Sequence, residues 1–248
     1  MRKPILIVRT GDLPGSMAHL GSFERQFQLM ADYGEAGTAV VDAVRDPLPE
    51  PTAFACLIVT GSLAMVSDRE PWSERCAIWL KGAIEVGVRV LGVCYGHQLV
   101  AHALGGLVGY NPKGRTFGSH ELNLTPAGLE HPLLRGLPAT FKTNQANSQV
   151  VLDAPRGAAV LGTSPYDRNA VLAYGPQVLT VQFHPEFSGD VTREFVDLAT
   201  DGGRKMDGSI RLAEPIQDTP EAASLLQRFV DEALRHNPIK IPGGKVLR

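Results

Sequence analysis

The sequence is poor in cysteine and has no long apolar run. Its 248 residues include three cysteines, Cys56, Cys76 and Cys94, and none of them forms a C-x-x-C pair. This argues against a disulfide framework and against a zinc ribbon. The apolar run near the N-terminus meets Arg9 and Asp12 too soon for a signal peptide, and no stretch approaches the length of a membrane span. We therefore expect a cytoplasmic protein without a membrane partner.

The sequence also lacks an excess of charge of either sign. Its 24 Lys and Arg against 26 Asp and Glu give a net charge of −2, whereas a nucleic-acid surface usually shows a basic excess. No G-x-x-x-x-G-K-[ST] or G-x-G-x-x-G phosphate loop, no H-E-x-x-H and no clustered Cys/His set is present. We expect no nucleic-acid partner, no cofactor and no metal. The remaining composition, 44% hydrophobic and 20% charged, is that of a globular chain able to bury a core.

Short β-branched runs alternate with helical patterns over the first hundred residues. Strands are predicted at residues 5–8, 38–41, 55–59 and 88–93, and helices at residues 23–33, 73–86 and 97–104. Uninterrupted apolar strands that alternate with helices indicate an α/β fold: a three-layer domain with a mostly parallel central sheet flanked by helices.

The second half of the chain changes character. Four strands are predicted there, at residues 121–124, 158–161, 170–174 and 178–183, with antiparallel pairs among them. The segment 125–157, rich in Pro, Gly and Asn, allows no assignment. Thr219, as a capping hydroxyl before Pro220, predicts the start of a C-terminal helix at about 219–236 that packs on the sheet. We expect one domain over 1–248, with a core of about 1–200 and a flexible tail at 238–248.

The segment with the clearest chemistry is G-V-C-Y-G at residues 92–96, where a buried strand runs directly into a helix. This is a nucleophile elbow with cysteine as the nucleophile. The flanking glycines remove side chains that would clash in the sharp turn. Cys94 is then exposed at the carboxyl end of the strand and at a helix N-terminus, which favours the thiolate. Cys56, inside a strand, and Cys76, inside a helix, are interpreted as structural thiols.

A thiolate nucleophile needs a base, and His184 in the sequence V-Q-F-H-P-E is the best candidate. In an extended chain residues i and i+2 face the same side, so Glu186 could orient the imidazole of His184. Pro185 ends the strand there, which suits a site at the carboxyl edge of the sheet. His97 and His120 are expected near the site.

Together, residues 92–98 and 182–186 resemble the triad-type (class I) glutamine amidotransferases, most specifically over residues 54–187. The resemblance implies that Cys94, His184 and Glu186 hydrolyse the side-chain amide of glutamine to glutamate and ammonia through a cysteine thioester. Residues 57–62 are similar to the oxyanion loop of stand-alone members related to GMP synthase glutaminase domains. The resemblance therefore implies that the N–H groups of Gly61 and Tyr95 stabilise the tetrahedral intermediate.

The same resemblance implies three substrate contacts. Gln98 matches a position whose side chain contacts glutamine, and Ser148 and Gln149 are expected to contact it through their backbone. Two positions depart from the family pattern: Asn147 stands where a histidine is common, and Ser62 stands where many members have a second glycine. Residues 115–118 are similar to the R-E-F-G stretch of GMP synthase glutaminases.

Three functions remain open from the sequence. The first is a glutaminase or amidotransferase whose ammonia acceptor lies on another chain. The second is a γ-glutamyl amide or peptide hydrolase of the same fold, which would turn over γ-glutamyl conjugates and leave glutamine intact. The third is a catalytically silent regulatory or binding subunit, against which the intact set of Cys94, His184 and Glu186 argues. The oligomeric state is left open.

Overall fold

A computed structural model of the chain describes residues 2–201 and 209–236. Over these ranges it contains twelve strands and six α-helices. The strands are β1 Ile5–Arg9, β2 Thr38–Asp42, β3 Cys56–Val59, β4 Arg89–Val93, β5 Leu107–Tyr110, β6 Arg115–Leu124, β7 Thr140–Asn147, β8 Gln149–Asp153, β9 Ala159–Thr163, β10 Val171–Tyr174, β11 Val178–Val181 and β12 Ile210–Ala213. The helices are α1 Phe23–Met30, α2 Pro71–Glu85, α3 Tyr95–Ala103, α4 Pro126–Glu130, α5 Gly189–Thr200 and α6 Pro220–Arg235.

Ten strands form one sheet in the order β12-β6-β9-β10-β11-β4-β3-β1-β2, and β7 pairs with β6 off this path. The half from β11 to β2 is parallel throughout, and β12 is parallel to β6. The pairings β6–β7, β6–β9, β9–β10 and β10–β11 are antiparallel. The predicted α/β fold with a mostly parallel central sheet is confirmed. Strands β5 and β8 form a separate antiparallel pair.

Helices cover both faces of the sheet. Because side chains alternate along a strand, Ile5 and Ile7 of β1 face one layer, where they join the apolar stripe of α6. Leu6 and Val8 face the opposite layer, where they join the buried side chains of α2 and α3. This three-layer arrangement brings the carboxyl ends of β1, β3, β4 and β11 to one edge.

Several boundaries differ from the sequence prediction. The unassigned segment 125–157 contains α4, β7 and β8, and α5 was not predicted. β11 ends at Val181, two residues before the predicted end at 183, and α1 ends at Met30 rather than at 33. Thr219 and Pro220 do start α6, but the Thr219 hydroxyl makes no capping hydrogen bond; its backbone, at φ −123° and ψ 74°, is not in the usual capping conformation.

The predicted tail at 238–248 lies outside the described residues. No helix within residues 2–201 and 209–236 is long and apolar enough to cross a membrane.

Candidate active site

Cys94 occupies the turn between β4 and α3. Its backbone has φ 52° and ψ −102°, a conformation that side-chain-bearing residues rarely adopt. The turn is tight enough that a Cβ on Gly96 would lie 2.4 Å from the Val59 carbonyl oxygen, and one on Gly92 would lie 2.7 Å from the Gly96 oxygen. Two glycines around the cysteine are therefore a steric requirement of this strand-to-helix connection.

His184 lies beside Cys94 and Glu186 lies beside His184, and both are almost fully buried, at 2% and 1% exposed. His184 Nδ1 is 2.7 Å from Glu186 Oε1, and Cys94 lies close enough to raise the pKa of the His184 imidazole. The imidazole stacks on the Phe187 ring, with 3.9 Å between ring centroids and 3° between the planes. The structure thus brings the three predicted triad residues together.

His184 and Glu186 are adjacent, but the strand alternation predicted to place them side by side is wrong. β11 ends at Val181, so strand alternation does not place the two side chains. A turn does: the Phe187 N–H donates to the His184 carbonyl oxygen at 3.3 Å, and the His184 N–H donates to the Asn144 oxygen at 2.8 Å. The histidine is therefore fixed against β7 as well as at the end of β11.

The electrostatic state of His184 follows from its neighbours. Burial by itself lowers the pKa of an imidazole, because it disfavours the charged form. The Glu186 carboxylate and Cys94 outweigh that effect and raise the pKa of His184 to about 10. The imidazole of His184 is therefore held in its charged form at neutral pH.

Gly61 and Tyr95 both adjoin Cys94, as the expected oxyanion site requires. A Cβ on Gly61 would lie 2.9 Å from His184 Cε1 and 3.7 Å from Cys94 Cβ, so the glycine backbone lies directly against these two side chains. Tyr95 begins α3, and its side chain is anchored away from the site, with its hydroxyl 2.6 Å from Ser73 Oγ. The part of Tyr95 that lies near the Cys94 sulfur is therefore its backbone.

A cavity of about 150 Å³ opens beside the Cys94 sulfur. Its lining includes residues that the sequence singled out: Ser62, Cys94, Tyr95, Gln98, Arg115, Asn147, Ser148 and Gln149. The lining also includes Phe117, from the same stretch 115–118 as Arg115. Residues not anticipated there are Leu63, Ala64, Met65, Ala146, Phe195, Leu198 and Ala199. Three of these, Phe195, Leu198 and Ala199, form one stripe of α5. Ser188 as its N-cap and the apolar spacing from Val191 to Phe195 were available signals for that helix.

Gln98 is held in a fixed orientation. Its Nε2 donates to the Gln149 carbonyl oxygen at 2.7 Å and to Gln182 Oε1 at 3.0 Å, which uses both amide protons. Its own Oε1 remains to accept a hydrogen bond from a ligand in the cavity.

Residues 147–149 share this hydrogen-bond network. Asn147 Nδ2 donates to the Gln149 oxygen at 3.1 Å, while its buried Oδ1 has no partner among the described residues. The Gln149 side chain is engaged with Ser67, at 2.5 Å from Nε2 to Oγ. The Gln149 carbonyl oxygen and side chain are thus both occupied.

The other candidate histidines and cysteines have structural environments. His97 is fully buried with Nδ1 2.8 Å from Thr180 Oγ1, and burial lowers its pKa to about 3. His120 Nε2 contacts the carbonyl oxygens of Phe117 and Arg211, and burial lowers its pKa as well. Burial raises the pKa of Cys76 to about 12 and raises that of Cys56 further, so both stay thiols.

Comparison with known proteins adds an independent line of evidence. The family model described as "Glutamine amidotransferase class-I" matches residues 40–196. GMP synthase [glutamine-hydrolyzing] of Aeropyrum pernix is 34% identical over 176 residues, which are 71% of this chain and 32% of that protein. The chain therefore spans about a third of the length of this relative.

Two further likenesses extend over almost the whole chain. Gamma-glutamyl peptidase 4 of Arabidopsis thaliana is 23% identical over 243 residues, covering 96% of this chain and 97% of that protein. A solved glutamine amido transferase from Methylobacillus flagellatus superposes with a TM-score of 0.76 at 20% identity and covers all of both chains. The latter likeness concerns the fold.

Proposed function

The chain belongs to the class-I glutamine amidotransferase family, and from that premise we propose that it hydrolyses the side-chain amide of glutamine to glutamate and ammonia. One observation carries the proposal: Cys94 stands on a strained turn that opens into a cavity, next to a buried His184 that is itself paired with Glu186 at 2.7 Å. This is the arrangement of nucleophile, proton carrier and orienting group that covalent amide hydrolysis requires.

In the proposed mechanism the Cys94 thiolate attacks the amide carbon, and the carbonyl electrons move onto oxygen. The resulting oxyanion accepts hydrogen bonds from the N–H groups of Gly61 and Tyr95. His184, charged at neutral pH, gives its proton to the departing nitrogen, so that ammonia leaves and a thioester remains. Neutral His184 then takes a proton from water, which attacks the thioester and releases glutamate. Glu186 holds the imidazole and stabilises its charged form.

Substrate binding follows from the groups left free in the cavity. Gln98 Oε1 accepts from the substrate, since both of its amide protons are used within the protein. The backbone of Ser148 and the N–H of Gln149 supply further contacts, because the Gln149 oxygen already accepts two hydrogen bonds. The ammonia acceptor is proposed to be a separate synthetase protein, as the match to part of a GMP synthase suggests.

The proposal is tested by trapping the nucleophile. A chloroketone analogue of glutamine should label Cys94 alone, read by peptide mass, and Cys94→Ala should lower glutamine hydrolysis by at least about a thousandfold. Cys76→Ala, which changes a buried structural thiol, is the matched control and should keep the activity. Labelling of Cys56 or Cys76, or full activity in Cys94→Ala, would overturn the mechanism.

A second candidate function, hydrolysis of γ-glutamyl peptides, is favoured by the outer wall of the cavity. Within residues 2–201 and 209–236, Arg115 is the one cation in the lining, no Asp or Glu lines the cavity, and the Arg115 side chain has no hydrogen-bond or ion-pair partner. Beside it stand Phe117 and the α5 stripe with Leu198, 49% exposed. A guanidinium next to an apolar wall suits a carboxylate that carries an apolar side chain, as in a γ-glutamyl dipeptide.

For this candidate we expect Arg115→Gln to raise KM for γ-glutamyl-leucine about tenfold, because a hydrogen bond to a charged group is lost. KM for glutamine and for γ-glutamyl-leucinamide, which lacks the terminal carboxylate, should change by less than about twofold. Lys113→Gln, a neighbouring cation that does not line this cavity, is the control. An equal rise in KM for glutamine would assign Arg115 to the glutamine carboxylate and would remove the support for this candidate.

A further inference from the structure

The segment that carries Gly61 is tied to the end of β1 by a buried pair of threonines. Thr10 follows β1 and Thr60 follows β3, and since these strands are parallel neighbours the two residues meet at the same edge of the sheet. The Thr10 N–H donates to Thr60 Oγ1 at 3.1 Å, and the two hydroxyl oxygens are 3.2 Å apart. Neither residue is exposed to solvent.

The threonine hydroxyls act on two backbone carbonyl groups. Thr10 Oγ1 lies 3.0 Å from the Thr60 oxygen and 3.0 Å from the Gly61 oxygen. Thr60 Oγ1 donates to the Gly61 oxygen at 3.0 Å. Each hydroxyl has one proton to donate. The Thr60 hydroxyl donates to the Gly61 oxygen, and the Thr10 proton is shared between the Thr60 and Gly61 carbonyl oxygens. Both peptide planes around Gly61 are therefore held by hydroxyl donors.

The orientation of one of these planes decides where the Gly61 N–H points. A peptide is planar with its C=O and N–H in opposite directions, so fixing the Thr60 carbonyl fixes the Gly61 N–H. That carbonyl accepts from Thr10 on one side and from the Gly96 N–H, at 3.2 Å, on the other. Glycine itself offers little resistance to a peptide flip, so the restraint has to come from these donors.

Gly11 contributes through its missing side chain. A Cβ at Gly11 would lie 2.6 Å from Ser62 Oγ, so the serine is accommodated because residue 11 is glycine. Ser62 Oγ in turn accepts from the Ala64 N–H at 3.1 Å. The two segments after β1 and β3 thus fit together on both sides of Gly61.

We propose that Thr10 is a positioning residue for the reaction: its buried hydroxyl keeps the 60–61 peptide oriented so that the Gly61 N–H faces the developing oxyanion. This inference rests on the proposed function of Gly61. It assigns a catalytic consequence to a residue that touches neither the substrate nor Cys94. Removal of the Thr10 hydroxyl loosens the Gly61 donor and leaves the residues that line the cavity unchanged, so the effect falls on the chemical step rather than on substrate binding.

The test compares Thr10→Val, which keeps the shape and removes the hydroxyl, with Thr10→Ser, which keeps the hydroxyl. In Thr10→Val, kcat for the γ-glutamyl amide turned over by the wild type should fall about ten- to hundredfold, approaching the loss of an oxyanion donor, with KM within about twofold. Thr10→Ser should stay within about threefold of wild-type kcat. Alkylation of Cys94 by iodoacetamide, which forms no oxyanion, should proceed at the wild-type rate in both variants.

Each contrary result has a definite meaning. Unchanged kcat in folded Thr10→Val, or alkylation that falls in parallel with kcat, overturns the inference. If Thr10→Val does not fold, Thr10→Ala replaces it, and failure of both while Thr10→Ser folds also overturns the inference, since the hydroxyl then serves the fold. A wild-type protein that hydrolyses neither glutamine nor γ-glutamyl peptides defeats the proposed function together with this inference.

Discussion

At the scale of single residues, the charge on His184 is set by a balance between burial and its neighbours. Removal from water disfavours the imidazolium, and the adjacent carboxylate of Glu186 restores it. The second oxygen of that carboxylate, Oε2, is buried without a hydrogen-bond partner among the described residues. His184 is therefore the one side-chain hydrogen-bond partner of this carboxylate within the described ranges, which makes the histidine sensitive to any change at residue 186.

We expect Glu186→Gln to lower the pKa of His184, since the negative charge is removed while the burial that favours the neutral ring remains. In the wild type the proton is lost as pH rises through about 10, so the proton donor is present at neutral pH. In the variant it is lost at lower pH, and the descending limb of kcat should move down in pH. Nitrogen NMR of the ring and the pH–rate profile measure both. Glu194→Gln, which breaks the surface pair with His19, is the control, and an unmoved profile in Glu186→Gln would contradict the assignment.

The residues that could be predicted from the sequence are those whose role is local. Cys94 was identified because its flanking glycines and the strand-to-helix change lie within a few positions of it. Thr10 and Phe195 were not, because their roles depend on which segments the sheet brings together. Thr10 meets Gly61 across 51 positions of sequence, and no pattern around either residue reports that contact.

At the scale of elements, the connection from β4 to α3 carries the tightest packing constraint. α3 approaches β3 so closely that the Gly96 Cα has no room for a methyl group beside Val59. The same close approach brings the Gly96 N–H to the Thr60 oxygen at 3.2 Å. The helix cannot move away without disturbing the segment that holds Gly61.

We expect Gly96→Ala to lower the free energy of unfolding by about 1–3 kcal/mol or more, as overpacking does, and to abolish activity. Gly82→Ala is the matched control, because Gly82 lies within α2 and a Cβ there meets nothing within 4 Å. It should raise the free energy of unfolding by about 0.5–1 kcal/mol through helix propensity. Denaturant titration with a parallel glutamine-hydrolysis assay measures both variants. If Gly96→Ala has the free energy of unfolding of the wild type, α3 can move away from β3 to make room for the added methyl group.

Strands and helices whose buried side chains are apolar could be predicted from the sequence, whereas strands whose buried side chains are polar could not. β7 contains the buried residues Thr143, Asn144, Gln145 and Asn147, a composition that reads as a loop. It forms a strand because β6 satisfies its polar groups, as when Ser119 Oγ donates to Asn144 Oδ1 at 2.7 Å. The pairing partner, residues 115–120, is itself polar and was also missed. When two polar strands satisfy each other's hydrogen-bonding groups, neither segment shows the apolar pattern by which a strand is predicted.

At the scale of the whole molecule, α6 lies outside the family-matched residues 40–196 and yet belongs to the main core. Phe229, 2% exposed, packs in the same cluster as the side chains of β1 and β4 that face the α6 layer. Both tryptophans, Trp72 and Trp79, lie on α2 in the opposite layer. The sheet is the shared structure between the two layers, so we propose that they unfold as one unit.

Phe229→Ala should lower the free energy of unfolding by about 3–5 kcal/mol. Because the layers share the sheet, the transition followed by tryptophan fluorescence on α2 should shift together with that followed by circular dichroism. Leu29→Ala, at a position 59% exposed on α1, is the control and should change the free energy by less than about 0.5 kcal/mol. Two separated transitions in Phe229→Ala would mean that α6 forms an independent unit.

The backbone conformation of Cys94 lowers the stability of the fold, whereas its side chain supports the proposed reaction. At φ 52° and ψ −102° a glycine would be relaxed, whereas cysteine carries strain of about 1–3 kcal/mol. Cys94→Gly should therefore relieve that strain and, under the proposed function, end the reaction. Selection for thermal stability alone would favour glycine here, so the proposed function predicts that the most active chain is not the most stable one.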